Sequence, residues 1–189
     1  VNNLTSNWPS GSYYGDGSGG EFSSINSLRR CGCGLAAIDS PGLSLFGANF
    51  SLPGKIQTVP RAETFALVVL TRLVAPMTDI IYYTDNKGVY NIFNGGPQAS
   101  KRSINCDLFN EVFQNTLDKK VKMSVIWMPS HLDANETLPD GVSEIMVKGN
   151  NKADEQAGIA AHRLALPLNV SAPVLYYISL TKRIQHRLT

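Results

Sequence analysis

The 189-residue sequence has no apolar run near the ~18 residues that a membrane span needs, and its first residues lack the basic and apolar parts of a signal peptide. Three cysteines are too few for a disulfide-stapled scaffold, and no internal repeat is present. With 43% hydrophobic and 17% charged residues, the composition is globular. We expect one intracellular domain, with or without an appendage, and no membrane partner. Because no Met begins the chain, we interpret it as an excised domain or a processed product.

Neither sign of charge is in large excess, with 17 Lys and Arg residues against 15 Asp and Glu residues. The formal net charge of +2 excludes a strongly cationic nucleic-acid-binding protein. It does not exclude nucleic-acid binding, because a few acids gathered in one site would hide a basic surface elsewhere. Cys31 and Cys33 form a C-x-C pattern without a second ligand pair, so we expect small apolar residues on a strand rather than a zinc site.

Hydrophobic periodicity predicts an α/β domain built around one mixed sheet. Strands are expected within residues 12–20, 30–39, 43–52, 79–85 and 121–128, and helices within 59–76, 89–94, 103–118, 150–165 and 173–189. The strand at 79–85 contains a continuous apolar run, residues 80–83, which is typical of a strand buried on both faces. A turn is expected at 39–42 and a long loop over 129–148. The predicted organisation is a loose segment at 1–11, a domain at 12–166 and a basic amphipathic helical extension at 167–189.

Four acids stand at strand ends or in the first turns of helices: Asp16, Glu63, Asp85 and Asp154. Carboxylates beside a core are costly unless they are paired or bind cations, and a sheet of this order can bring all four to one edge. Each acid also has an ordinary interpretation. Asp16 suits a turn, Glu63 suits the dipole of a helix start, Asp85 suits a helix cap, and Asp154 suits a solvated first turn. If the four meet, the cluster is suited to hard divalent cations.

The sequences around these acids resemble those of type 1 ribonuclease H, and they occur in the order found in that family. The matching motifs are Asp16-Gly17-Ser18, Arg61-Ala62-Glu63, Thr84-Asp85, Trp127-Met128-Pro129-Ser130-His131, and residues 150–157 with Asn150, Asp154 and Ala157. Each motif alone is weak, whereas five in sequence are specific. The resemblance covers residues 12–165. It implies a ribonuclease-H-like fold with a five-stranded mixed sheet, three antiparallel strands and then two parallel ones, flanked by helices.

The resemblance also implies an activity, that of a metal-dependent endonuclease that hydrolyses the RNA strand of RNA/DNA hybrids with two Mg²⁺ ions, for which Mn²⁺ substitutes. Asp16, Glu63, Asp85 and Asp154 would be the metal ligands, and His131 would assist proton movement or product release. The residues expected to contact the substrate are Ser18, Arg61, Thr84, Asn86, Lys87 and Asn150. The partner would be an RNA/DNA hybrid, and the chain would belong to a larger polypeptide such as a retroelement reverse transcriptase.

Two departures from the family pattern leave other functions open. An acidic insertion, residues 132–149, separates His131 from Asp154. It could gate the site, belong to a partner interface, or place His131 away from the metals. Val59 and Pro60 stand where family members often carry asparagines that contact 2′-hydroxyls, so RNA-strand recognition would rest on main-chain groups or be weaker. The alternatives are a catalytically silent nucleic-acid- or protein-binding domain of a larger assembly, and a transposase- or integrase-type DNA nuclease.

Overall fold

Five strands form one mixed sheet, which confirms the predicted architecture. The structure, a computed structural model, describes residues 7–38, 44–130, 132 and 137–188. The strands are β1 Gly11–Ser18, β2 Gly32–Ile38, β3 Ser44–Ser51, β4 Asp79–Thr84 and β5 Lys122–Trp127. Their order across the sheet is β3-β2-β1-β4-β5. The first three strands pair antiparallel, and β4 and β5 run parallel to β1. The turn predicted at 39–42 lies outside the described residues.

Helices cover both faces of this sheet. They are α1 Val59–Leu73, α2 Lys87–Asn94, α3 Gly96–Ser100, α4 Cys106–Asp118, α5 Glu144–Arg163 and α6 Leu168–Leu188. Because side chains alternate along a strand, Tyr13 of β1 joins the larger core with α1 and α4, whereas its neighbour Tyr14 joins a smaller core with α5. The helix α1 is buried from Ala62 to Thr71, because it lies between the sheet and α4.

Small residues allow α5 to lie unusually close to the sheet. A Cβ atom at Gly34 of β2 would stand 2.0 Å from the carbonyl oxygen of Ala153 and 2.5 Å from the amide nitrogen of Ala157, both in α5. No side chain fits between these backbones, so only glycine is compatible with this packing. The side chains of the alanines in α5 are buried in the same contact with β2.

The helix α5 begins at Glu144, so the prediction of a loop over 129–148 is wrong for its last five residues. Ser143 caps the helix, with its Oγ accepting a hydrogen bond from the Met146 amide at 3.3 Å. Gly149 packs against the Tyr14 ring, which periodicity of apolar residues cannot reveal because glycine carries no side chain. As a consequence, Asp154 lies in the interior of α5 and not in its first turn.

Two other helix boundaries differ from prediction. The helix predicted over 103–118 begins at Cys106, and the short α3 before it has no signal in the sequence pattern. Ile104, which would lie on one line with Leu108 and Val112 in a helix over 103–118, is 90% exposed in the turn between α3 and α4. Ser103 Oγ accepts a hydrogen bond from the Asn105 amide at 3.1 Å, and this local bond replaces the helical one.

Burial also differs from prediction in two places. One residue of the segment expected to be loose is packed: Trp8 is buried against Tyr13, and its amide donates to the Leu73 carbonyl oxygen at 2.9 Å. The strand β4 is not buried on both faces, because α5 covers β1 to β3 and leaves Ile81 partly exposed.

The helix α6 follows α5 after a sharp bend and confirms the predicted basic helix, although it begins at Leu168 rather than at residue 173. Ser171 is its one buried residue. Among the described residues, no single helix is long and apolar enough to cross a membrane. Only α5 and α6 taken together, bent by 96°, meet the criteria of length and composition.

Candidate active site

Asp16 and Asp85 meet because β1 and β4 are parallel neighbours. Their register pairs Tyr14 with Tyr83, so two residues further along each strand Asp16 comes beside Asp85. Both acids therefore lie at the carboxyl end of the sheet's parallel pair. The cap of α2 is Asn86 and not Asp85, so the interpretation of Asp85 as a helix cap does not apply.

Glu63 reaches the same place from α1. A Cβ atom at Gly17 would lie 2.7 Å from the backbone nitrogen of Glu63, so the glycine of the Asp16-Gly17 pair lets α1 lie directly against β1. Glu63 is the fifth residue of α1, and the structure places it just beyond the first turn in which it was predicted. Its side chain points into the protein and is 6% exposed.

These three carboxylates form a compact group that we call the acid cluster. One oxygen from each of Asp16, Glu63 and Asp85 lies within 4.8 Å of the other two. Burial, followed by the negative charge of Asp85, raises the pKa of Asp16 to about 8, although the Gly17 amide donates to Asp16 Oδ1 at 2.7 Å and opposes this. Burial and the charges of Asp16 and Asp85 also raise the pKa of Glu63 well above its ordinary value.

The acid cluster fits a divalent cation. Among the described residues, Glu63 Oε2 has no hydrogen-bond partner although it is buried, and such an unsatisfied acceptor destabilises a fold. A cation would satisfy this oxygen and relieve the repulsion between the carboxylates. The donors are all carboxylate oxygens, which suit Mg²⁺ or Mn²⁺, whereas Zn²⁺ sites usually include nitrogen or sulfur ligands.

Asp154 approaches the acid cluster from α5. Its charge and a side-chain hydrogen bond to Asp16 both add to the raised pKa of Asp16. Asp154 is exposed and does not belong to the tight group of three, so it stands at the solvent edge of the site. Asn150, one turn earlier on α5, is buried, and its Oδ1 has no hydrogen-bond partner within the described part of the chain.

Three of the residues predicted to contact substrate line the connection from β4 to α2. The buried Thr84 accepts a hydrogen bond on Oγ1 from the Asn86 amide at 3.1 Å. Asn86 caps α2, and a hydrogen bond from its side chain lowers the pKa of Glu63, against the larger effects that raise it. Lys87 is exposed, and its Nζ lies 5.1 Å from the ring centre of Trp127.

The remaining predicted residues lie elsewhere or have other partners. Ser18 Oγ accepts a hydrogen bond from the Gly20 amide at 3.3 Å and helps to shape the β1–β2 loop. Arg61 donates to Asp107 Oδ1 at 2.9 Å and ties α1 to α4, so its guanidinium already has an anionic partner. His131 lies outside the described residues.

Two residues that sequence reasoning did not single out support the site. Tyr82 of β4 is fully buried, and its hydroxyl has no hydrogen-bond partner among the described residues. Burial, followed by the negative charge of Glu63, raises the pKa of this hydroxyl well above its ordinary value. A Cβ atom at Gly15 would lie 2.0 Å from that hydroxyl, so Gly15 makes room for it. Trp127 Nε1 donates to the Asp85 carbonyl oxygen at 3.0 Å and fixes the backbone that carries this carboxylate. Trp127 stands in a motif noted above, whereas nothing in the sequence distinguishes Tyr82 from an ordinary core tyrosine.

The comparisons with known proteins are structural. No protein-family model and no curated protein matches the chain. A solution structure of the ribonuclease H domain of prototype foamy virus matches 80% of this chain and 94% of its own, with a TM-score of 0.61 and 17% identity. LC11-RNase H1 in complex with an RNA/DNA hybrid matches 81% of this chain and 97% of its own, with a TM-score of 0.57 and 15% identity.

A third similar structure is a much longer protein. The foamy viral protease-reverse transcriptase in complex with an RNA/DNA hybrid matches 82% of this chain but only 20% of its own length, with a TM-score of 0.59 and 15% identity. Together these structures show that the chain has the ribonuclease H fold, and they confirm the predicted resemblance at the level of the fold.

Proposed function

We propose that the chain is a metal-dependent endonuclease that hydrolyses the RNA strand of RNA/DNA hybrids. The observation that carries this proposal is the acid cluster, with three carboxylate oxygens within 4.8 Å of one another and a buried Glu63 oxygen that has no donor among the residues that the structure describes. On this fold the cluster lies at the carboxyl ends of β1 and β4. Asp85 is half-buried and Asp154 is exposed, so this side of the cluster is open to a substrate from solvent.

Asp16, Glu63, Asp85 and Asp154 would hold the cations. When all four are ionised they carry four negative charges, which two Mg²⁺ or Mn²⁺ ions would balance. When bound, such cations supply Lewis acidity that activates water and offsets negative charge on a phosphate. The raised pKa values of Asp16 and Glu63 mean that protons compete with the cations for these oxygens.

Other residues of the chain would position the substrate. Lys87 is exposed beside Trp127 and offers a positive charge to a phosphate near Asp85. The segments around the acid cluster offer further polar groups, those of Asn86, Thr84, Ser18 and Asn150. Arg61 is held by Asp107, and in the proposed enzyme its role is to fix α1, and with it Glu63. His131, outside the described residues, is proposed to move a proton or to assist product release.

A cleavage assay tests the proposal. The full chain is incubated with Mg²⁺ and matched RNA/DNA hybrid, double-stranded RNA and double-stranded DNA, and Asp85→Asn serves as the control. We expect cleavage of the RNA strand of the hybrid by the unaltered chain only. Cleavage of DNA would favour a transposase- or integrase-type nuclease, and binding without any cleavage would favour a silent binding domain.

The likeness to one-fifth of a foamy viral protease-reverse transcriptase supports a further part of the proposal. The chain would act as one domain of a larger polypeptide that brings the hybrid to it. Fusion to or mixing with such a polypeptide should then raise the affinity for hybrid without changing which strand is cut.

A further inference from the structure

All the charged side chains of the helix α6 are positive. Lys182, Arg183 and Arg187 lie in its second half with His186 among them, and the helix contains neither Asp nor Glu. Their spacing of i, i+1, i+4 and i+5 places them on one side of the helix. In the described part of the chain, Lys182, Arg183 and Arg187 form no ion pair, and all three are exposed.

This cationic side of α6 forms a groove with the loop between β1 and β2. Ile25 of the loop, with Leu175 and Ile178 of α6, gives the groove a largely apolar lining. Lys182, Arg183 and His186 stand beside these residues around an open volume of about 450 Å³. The loop is held in place, because Leu28 is buried and the Arg29 guanidinium donates to the Gln57 carbonyl oxygen at 3.4 Å. The groove therefore has one wall fixed by the body of the domain.

The groove lies at the same end of the sheet as the acid cluster. The β1–β2 loop begins directly after Ser18, two residues beyond Asp16. The loop also contacts the end of α5, since a Cβ atom at Gly20 would lie 3.3 Å from the Ala161 side chain. The segment from Lys182 to Arg187 is about 8 Å long, which is comparable to about two base pairs of duplex.

The acid cluster is negatively charged, whereas the groove carries positive charges. A nucleic-acid duplex is repelled by carboxylates and needs cations beside the site to hold its phosphates. We propose that the cationic side of α6, together with the β1–β2 loop, binds backbone phosphates of the duplex next to the position that is cut. This inference rests on the proposed function and adds a duplex-binding surface to it.

A protein partner is the competing occupant of α6. The opposite side of the helix exposes Tyr177, Ile184 and Leu188, which a protein could cover. The phosphate groups of a duplex are favoured for the cationic side, because that side is the one that continues into the loop after β1. Apolar contacts are not needed to hold a phosphate there.

Binding measured without cleavage tests this proposal. The full chain is titrated with a labelled RNA/DNA hybrid in EDTA, at several salt concentrations, as the unaltered protein and as Lys182→Gln/Arg183→Gln. The matched control is Lys120→Gln/Lys122→Gln, which removes two exposed charges just before and at the start of β5, at the end of the sheet opposite to Asp85. Lys122 lies 3.9 Å from Asp79 in an exposed ion pair, which contributes little to stability. All four side chains are solvent-accessible, and circular dichroism checks that each variant keeps its helices.

We expect the α6 variant to bind the hybrid about tenfold more weakly and to lower the slope of log affinity against log salt by about 2, with little change in the control. Unchanged affinity and salt slope in the α6 variant, or an equal loss in the control, would overturn the proposal and leave α6 as a surface for an acidic protein. If the unaltered chain cleaves hybrid with Mg²⁺ while the α6 variant binds normally, only this inference fails. If the unaltered chain neither binds nor cleaves hybrid, the proposed function fails as well.

Discussion

Asp16 is one of two residues whose raised pKa makes the acid cluster sensitive to pH. Its folded pKa of about 8 lies above the ordinary value of 3.8, so the protonated form is favoured by folding. This contribution to the free energy of unfolding is fully present below about pH 4 and is lost as the pH rises through 8. Glu63, whose pKa is also raised, acts in the same direction.

We therefore expect the stability of the chain in EDTA to fall between pH 5 and pH 8.5, by at most about 1.4 kcal/mol per pH unit for each such proton. The measurement is denaturant unfolding at a series of pH values. Asp16→Asn cannot titrate and should show a shallower decline. A steeper or equal decline in that variant would mean that other groups control the pH dependence.

Asp85 offers the simplest change within the acid cluster. Asp85→Asn keeps the shape of the side chain and removes one negative charge from a group that repels itself. We expect cleavage of hybrid to fall by about 10²-fold or more, since several kcal/mol of charge stabilisation depend on such a ligand. The melting temperature in EDTA should stay the same or rise. Near-normal cleavage by this variant would contradict the assignment of Asp85.

At the scale of elements, the position of α5 depends on the glycine of β2 beneath it. Gly34→Ala would place a Cβ atom 2.0 Å from the Ala153 carbonyl oxygen, so α5 has to move away from the sheet and Asp154 with it. We expect lower thermal stability and a loss of cleavage. The comparison variant is Gly158→Ala within α5. Among the described residues its added Cβ atom would have no neighbour within 4 Å, so it should raise stability by up to about 1 kcal/mol.

The two variants change the same kind of residue, one in the sheet and one within α5. Thermal unfolding and cleavage of hybrid are measured for both. If Gly34→Ala keeps normal stability, α5 can shift without cost and the close contact with β2 is not required. If Gly158→Ala also abolishes cleavage, activity depends on α5 for a reason other than its distance from the sheet.

For the whole molecule, the fit of the acid cluster to a cation predicts stabilisation by Mg²⁺ or Mn²⁺. A ligand that binds only the folded chain adds about 2.7 kcal/mol at a concentration of 100 Kd. We expect millimolar cation to raise the melting temperature, with a larger rise at pH 8 than at pH 6 because protons compete at lower pH. Asp16→Asn should lose this rise, and an equal rise in that variant would place the cations elsewhere.

The proposed division at residues 166 and 167 makes a prediction about α6. Among the described residues, α6 buries only Ser171, so its removal exposes little apolar surface. We expect a chain that ends at residue 166 to unfold cooperatively and within a few degrees of the full chain, as followed by circular dichroism. A large loss of stability would show that α6 belongs to the core domain.

The sequence by itself determined the local elements and the residues of interest. Alternation along β3, the apolar sides of α1 and the order of the motifs around Asp16, Glu63 and Asp85 all depend on neighbours in the chain, and periodicity records them directly. The start of α5 and the presence of α3 did not follow, because a cap at Ser143 and a glycine packed on Tyr14 give no hydrophobic signal.

Only the tertiary structure decided that the acids form a site. The approach of Asp16 to Asp85 depends on the register between β1 and β4, strands that are far apart in sequence. The approach of Glu63 depends on the missing side chain of Gly17, and the raised pKa of Asp16 depends on burial by all of these elements together. These properties depend on distances between segments that are far apart in the sequence. Packing fixes those distances, and a local pattern of residues does not contain them.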